Sequence, residues 1–95
     1  MPKITVCAYA VLGDILGSRR VEIFAPVETL RELIDLLSHR YDASIREKLI
    51  DLKTGELRSS YRVLINGRNV TSLNGLNTKV REGDEITFFP PVSGG

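Results

Sequence analysis

The residues that build metal centres and redox sites are almost missing from this 95-residue chain, which holds one cysteine, Cys7, and one histidine, His39. No internal disulfide can form, and the three or four nitrogen and sulfur ligands of a zinc site cannot be assembled. A charge bias is missing too. Lysine and arginine total 13 against 12 for aspartate and glutamate, a formal charge of +1, so nothing draws the chain onto polyphosphate and nucleic acid is not indicated as a partner. No apolar run approaches the ~20 residues that cross a bilayer, and the opening MPKITVCAYA lacks the order of a signal peptide. These absences point to a cytoplasmic protein that is neither a metalloprotein nor membrane-bound. What is there is ordinary for a folded domain: 42% hydrophobic and 26% charged residues, enough to bury one core and too short to hold separate catalytic and regulatory units.

Periodicity divides the chain into elements. Lys3 to Val11 alternates, with Ile4, Val6, Ala8 and Ala10 on one side and Thr5, Cys7 and Tyr9 on the other, as a strand does. Leu12 to Ser18, with Gly13 and Gly17, reads as a connection to a second strand at Arg20 to Phe24, and the two strands are expected to form a hairpin. Beyond Pro26 the period changes: Leu30, Leu33, Ile34 and Leu37 line one face of a helix. Thr29 and Glu32 fit a capping box at its start. Ile45, Leu49 and Leu52 suggest a short second helix. Tyr61 to Asn66 reads as a strand ending at an Asn66-Gly67 turn, with a short strand near Val70. Glu85 to Phe89 forms the last strand, stopped by Pro90 and Pro91. The expected architecture is α+β: one mixed sheet with a main helix packed on one face. Residues 1–89 form the domain and residues 90–95 an extended tail. The four helix leucine and isoleucine positions are expected to pack on Ile4, Val6, Ile86 and Phe88. Alternation then turns Tyr9 and Phe89 outward, onto neighbouring first and last strands.

No catalytic constellation emerges. His39 sits at the polar end of the main helix, where a lone imidazole complements the dipole, and Cys7 has no histidine or arginine near it in sequence to lower its pKa. Gly13 and Gly17 lack the Lys-Ser/Thr of a phosphate loop and read as turn residues. Arg19, Arg20, Arg62 and Arg68 are dispersed among acids, a solvated mixed-charge surface.

The final run, Phe88-Phe89-Pro90-Pro91-Val92-Ser93-Gly94-Gly95, is apolar, stiff and then minimal. Two prolines hold a chain extended, and two residues without side chains can enter a narrow tunnel. Pro90 to Gly95 reaches at most ~20 Å, so the tail can deliver its carboxylate into another protein while the body stays outside.

Gly83 to Gly95 resembles the C-terminal signature of the small subunit of molybdopterin synthase, and Tyr9-Ala10 with Leu12 and Gly17 resembles that family's aromatic-Ala opening. Gly13-Asp14 stands where an Arg-Glu pair is common. The resemblance implies a ubiquitin-like β-grasp fold and a sulfur carrier that is not itself an enzyme and needs no cofactor. It further implies that Gly95 is adenylated by a ubiquitin-activating-type enzyme with ATP and converted to a thiocarboxylate with sulfur from a donor enzyme. That thiocarboxylate then donates its sulfur to a pterin precursor in the synthase large subunit. Gly94 supplies slimness, and Tyr9, Phe89, Pro90, Pro91, Val92 and Ser93 become the partner-binding residues. The alternative within the fold is a protein modifier joined through Gly95 to lysines. Sulfur transfer toward thiamine or tRNA is a further variant, and a pure interaction module is the reading from another class.

Overall fold

The computed structural model describes residues 2–91. Five strands form one sheet in the order β2-β1-β5-β3-β4: β1 Lys3–Ala8, β2 Arg20–Phe24, β3 Arg62–Ile65, β4 Arg68–Asn69 and β5 Glu85–Phe89. β1 and β5 pair in parallel at the centre, and every other pairing is antiparallel. The helices are α1 Ala10–Leu16, α2 Leu30–Arg40 and α3 Ser44–Leu49, with 3-10 turns at Val70–Ser72 and Gly75–Asn77.

The core is the one that the alternation implies. Ile4 and Val6 of β1, Ile86 and Phe88 of β5, and Leu30, Leu33, Ile34 and Leu37 of α2 are all buried in a single cluster. Thr29 caps α2 by accepting a hydrogen bond from the Glu32 N–H at 3.3 Å. Glu32 reaches back one residue further than the usual box, its Oε1 accepting from the Glu28 N–H at 3.0 Å.

Five expectations are corrected. The first strand ends at Ala8 rather than Val11, and Ala10 is exposed with φ of 54°. Next, the stretch from Leu12 to Ser18 is mostly helix, not connection, because Leu12 and Leu16, four apart, seal one end of the core. Gly17 is a turn residue, the left-handed C-cap of α1 at φ 81°. Gly13 is not: it sits inside α1, where a Cβ would lie 2.9 Å from the Ala8 carbonyl oxygen. In the second short helix, α3 stops at Leu49, and Ile50 enters the core while Leu52 is 70% exposed. Finally, the strand expected near Val70 is Arg68–Asn69, and Val70 begins a 3-10 turn. The Asn66-Gly67 turn is as expected, both residues having positive φ.

Two substitutions test this packing. Leu33→Ala removes a fully buried side chain and is expected to cost about 2 to 5 kcal/mol in denaturant unfolding. Gly13→Ala raises helix propensity by ~1 kcal/mol but drives a methyl into a backbone carbonyl. It should therefore lower the thermal midpoint, with a net loss of about 1 to 3 kcal/mol.

Candidate functional site

The tail root is built by the two central strands. Ala8 pairs with Phe88 in the parallel ladder, so the side chains one step on, those of Tyr9 and Phe89, project side by side on the face away from α2. Tyr9 is extended, at φ −123°, and the left-handed backbone of Ala10 swings α1 aside immediately after it. The two rings stack with centroids 5.4 Å apart and planes 9° from parallel. Tyr9 is 37% and Phe89 38% exposed, so the stacked pair shows an aromatic surface to solvent instead of completing the core. Pro90 and Pro91 continue directly from it and line a groove beside β3.

Next to this pair the outer face is charged and paired. Antiparallel register sets Arg20 opposite Cys7. The Arg20 guanidinium donates to Glu85 Oε2 at 3.1 Å and lies 3.6 Å from Cys7 Sγ. Glu85, and secondarily Cys7, holds the Arg20 guanidinium above its ordinary pKa. Cys7 is 8% exposed, so the thiol is buried and has an arginine neighbour that its sequence surroundings do not show. On the other flank Arg62 sits opposite Phe89 on β3.

Of the residues that the sequence singles out, the structure brings together Tyr9, Phe89, Pro90 and Pro91, while Val92, Ser93, Gly94 and Gly95 lie outside the described residues. His39 is exposed near the end of α2, on the opposite side of the sheet from the aromatic pair. Among the described residues no group of three or more histidine, cysteine, aspartate or glutamate side chains is placed to hold a metal ion, and no helix is long and apolar enough to cross a membrane. Sequence reasoning missed Arg20 and Arg62 as neighbours of the site. The β1–β2 register that delivers Arg20 was hidden behind a connection that contains a helix, and Arg62 is delivered by the separate β3–β5 pairing.

Comparison with known proteins agrees with this architecture. The ThiS family pattern matches residues 9–95. A candidate sulfur carrier protein of Archaeoglobus fulgidus is 41% identical over 75 residues, covering 79% of this chain and 83% of that protein. Small archaeal modifier protein 3 of Haloferax volcanii is 37% identical over 90 residues, covering 92% of each. Sulfur carrier protein CysO of Mycobacterium tuberculosis is 30% identical over 94 residues, covering 98% of this chain and 99% of that one. The crystal structure of Mycobacterium tuberculosis CysO matches with a TM-score of 0.80 at 29% identity, over 94% of this chain and 99% of that chain. With the family pattern running from Tyr9 through the tail and a β-grasp sheet shared with these relatives, the chain belongs to the ThiS family, alongside proteins named as sulfur carriers.

Proposed function

We propose that this protein carries sulfur for molybdopterin synthesis, with residues 1–89 as the docking body and residues 90–95 as the segment delivered to partners. The observation that carries the reading is the stacked Tyr9–Phe89 pair at the root of a Pro-Pro to Gly-Gly tail. A solvent-facing aromatic patch beside a deliverable carboxylate is what a protein needs if others act on its end.

The chemistry is acyl activation. The Gly95 carboxylate attacks the α-phosphorus of ATP on an adenylating enzyme, giving an acyl-adenylate and pyrophosphate. Hydrosulfide released by a donor enzyme then attacks the acyl carbon, the C–O bond to AMP breaks, and the products are a thiocarboxylate and AMP. Activation must come first, because a free carboxylate resists nucleophiles and a mixed anhydride does not. In the large subunit of the synthase the thiocarboxylate gives its sulfur to a pterin precursor. Support for the sulfur comes from the relatives named as carriers. Support for the pterin comes from the Phe88 to Gly95 run, which resembles the molybdopterin synthase small subunit. The second reading, a modifier joined through Gly95 to lysines, is favoured by the small archaeal modifier relative.

Intact mass of the protein from its native host distinguishes them. A gain of ~16 Da marks oxygen replaced by sulfur at an activated acyl group, whereas attachment to larger proteins marks a modifier. Deleting Gly95 should abolish dithiolene formation in a reconstituted synthase assay while leaving the unfolding midpoint unchanged, since the tail lies beyond the last paired strand. Continued activity would rule out the carrier reading. Phe89→Ala should leave the circular dichroism spectrum intact and weaken binding to the adenylating enzyme, the large subunit or both by more than ~1 kcal/mol. Titration calorimetry with undiminished affinity for both would show that the stack is not an anchor.

A further inference from the structure

The strand β2 lies at the end of the sheet, with no strand beside its outer edge among the described residues. Its register with β1 fixes where each main-chain group points. The Ala8 N–H donates to the Arg19 carbonyl at 2.8 Å, and the Ala25 N–H donates to the Pro2 carbonyl at 3.2 Å. Hydrogen-bonded pairs alternate with unbonded pairs in an antiparallel ladder. Val21 and Ile23 therefore bond to β1, while Arg20, Glu22 and Phe24 direct their N–H and C=O groups away from it. The facing residues of β1 agree, because their main chain is turned toward β5. The Thr5 N–H donates to the Asp84 carbonyl at 3.0 Å, and the Lys3 carbonyl accepts from the Gly83 N–H at 2.7 Å.

At Arg20 this edge is closed by a side chain. The Ser18 hydroxyl donates to the Arg20 carbonyl at 3.0 Å and accepts from the Arg20 N–H at 3.2 Å. Glu22 and Phe24 have no such cover: their outward N–H and C=O groups have no hydrogen-bond partner among the described residues. Both residues are exposed. The Phe24 ring, 54% exposed, stands on the face away from α2, since its neighbour Ile23 is in the core. The Glu22 carboxylate lies 4.0 Å from Lys3 Nζ, so the open part of the edge is close to neutral.

Free edge groups are a template for strand pairing, and this set is self-complementary. Each copy offers the N–H and C=O of Glu22 and of Phe24, and identical strands related by a two-fold axis pair antiparallel. Setting Glu22 opposite the partner's Glu22 places like charges face to face, and it directs Phe24 at an Arg20 that Ser18 already satisfies. Setting Glu22 opposite the partner's Phe24 uses every open group on both strands, with the axis at Ile23. We propose that β2 binds a second copy of this chain in that register, joining two five-stranded sheets into one. Each Phe24 ring then covers the new ladder beside the partner's Glu22. A net charge of +1 leaves little repulsion between copies. The contact is short, so the pairing is concentration-dependent. Because β2 runs antiparallel to β1, the two tail roots lie at opposite ends of the joined sheet and both stay accessible. The inference stands apart from the carrier reading.

Sedimentation equilibrium of the full chain should show an average mass that climbs from one chain toward two as concentration rises to ~1 mM. Over the same series, ¹⁵N amide shifts should concentrate at residues 21–25, and the Glu22 and Phe24 amides should gain protection from hydrogen exchange. Glu22→Pro removes an outward donor that β1 does not use, at an edge where proline is tolerated, and should weaken self-association about tenfold or more. If that variant unfolds, Phe24→Glu serves instead, because it sets a carboxylate opposite the partner's Glu22. A mixed sample of ¹³C-labelled and unlabelled chains should show contacts from the Phe24 ring to the partner's Glu22. A mass that stays at one chain, shifts centred on Tyr9 and Phe89, or self-association unchanged by both variants would overturn the proposal. So would a dimer lost on deleting residues 92–95, because the occupant of the edge would then be the tail of another copy. A thiocarboxylate mass gain in a chain that stays monomeric would leave the carrier reading standing and remove this one.

Discussion

The parallel ladder between β1 and β5 is the contact on which the rest of the molecule depends. It joins the two ends of the sequence in the middle of the sheet, Thr5 beside Glu85 through Ala8 beside Phe88. On one face it creates the floor of the core, because Ile4, Val6, Ile86 and Phe88 present a continuous apolar surface for the leucines of α2. On the other it decides what meets solvent at the tail root. Both outcomes follow from the twofold period of strands, which forbids a residue from serving both faces at once.

The outer face of this ladder is divided between satisfied and unsatisfied charge. Arg20 is held between Glu85 and Cys7 across three strands, and Lys3 lies 4.0 Å from Glu22 on the β1–β2 side. Exposed pairs of this kind contribute little to stability. Their larger effect is to quiet one half of the face, so that the uncompensated positive charge falls on the β3 side, where the groove is. The polar surface is thus patterned by strand register even though the net charge of the chain is only +1.

Much of this was legible in the sequence, and the reasons for the misses are specific. The helix Leu30–Arg40, the strands at Arg20–Phe24 and Glu85–Phe89, and the Asn66-Gly67 turn each carry a strong local signal, a 3.6-residue period, strict alternation or a positive-φ pair. The outward placement of Tyr9 and Phe89 followed from counting alternation from the core residues. Helix α1 was missed because two glycines within seven residues look like a loop, when one of them is a packing glycine whose partner, the Ala8 carbonyl, is visible only in three dimensions. Leu52 was counted with the second helix because its three-residue spacing from Leu49 fits a helix, whereas Ile50 takes the buried position after the chain has become extended. Arg58 and Arg62, which line the groove beside β3, had no sequence signature at all. They are separated from their neighbours there by turns that propensity does not predict.

The central position of β5 also bears on how the protein is made. Its strands close in an order that sequence distance makes slow, since the middle pair joins residues about eighty apart and such contacts form only after a large loop has been ordered. During synthesis the first strand leaves the ribosome long before its neighbour exists, and β1 has only β2 to lean on, a two-stranded ribbon that is marginal in water. The sheet closes when the last strand emerges, and the tail follows it by a handful of residues. A chain truncated before Glu85 therefore lacks the body as well as the tail. Truncation of that kind yields no closed sheet, so any folded body already includes β5.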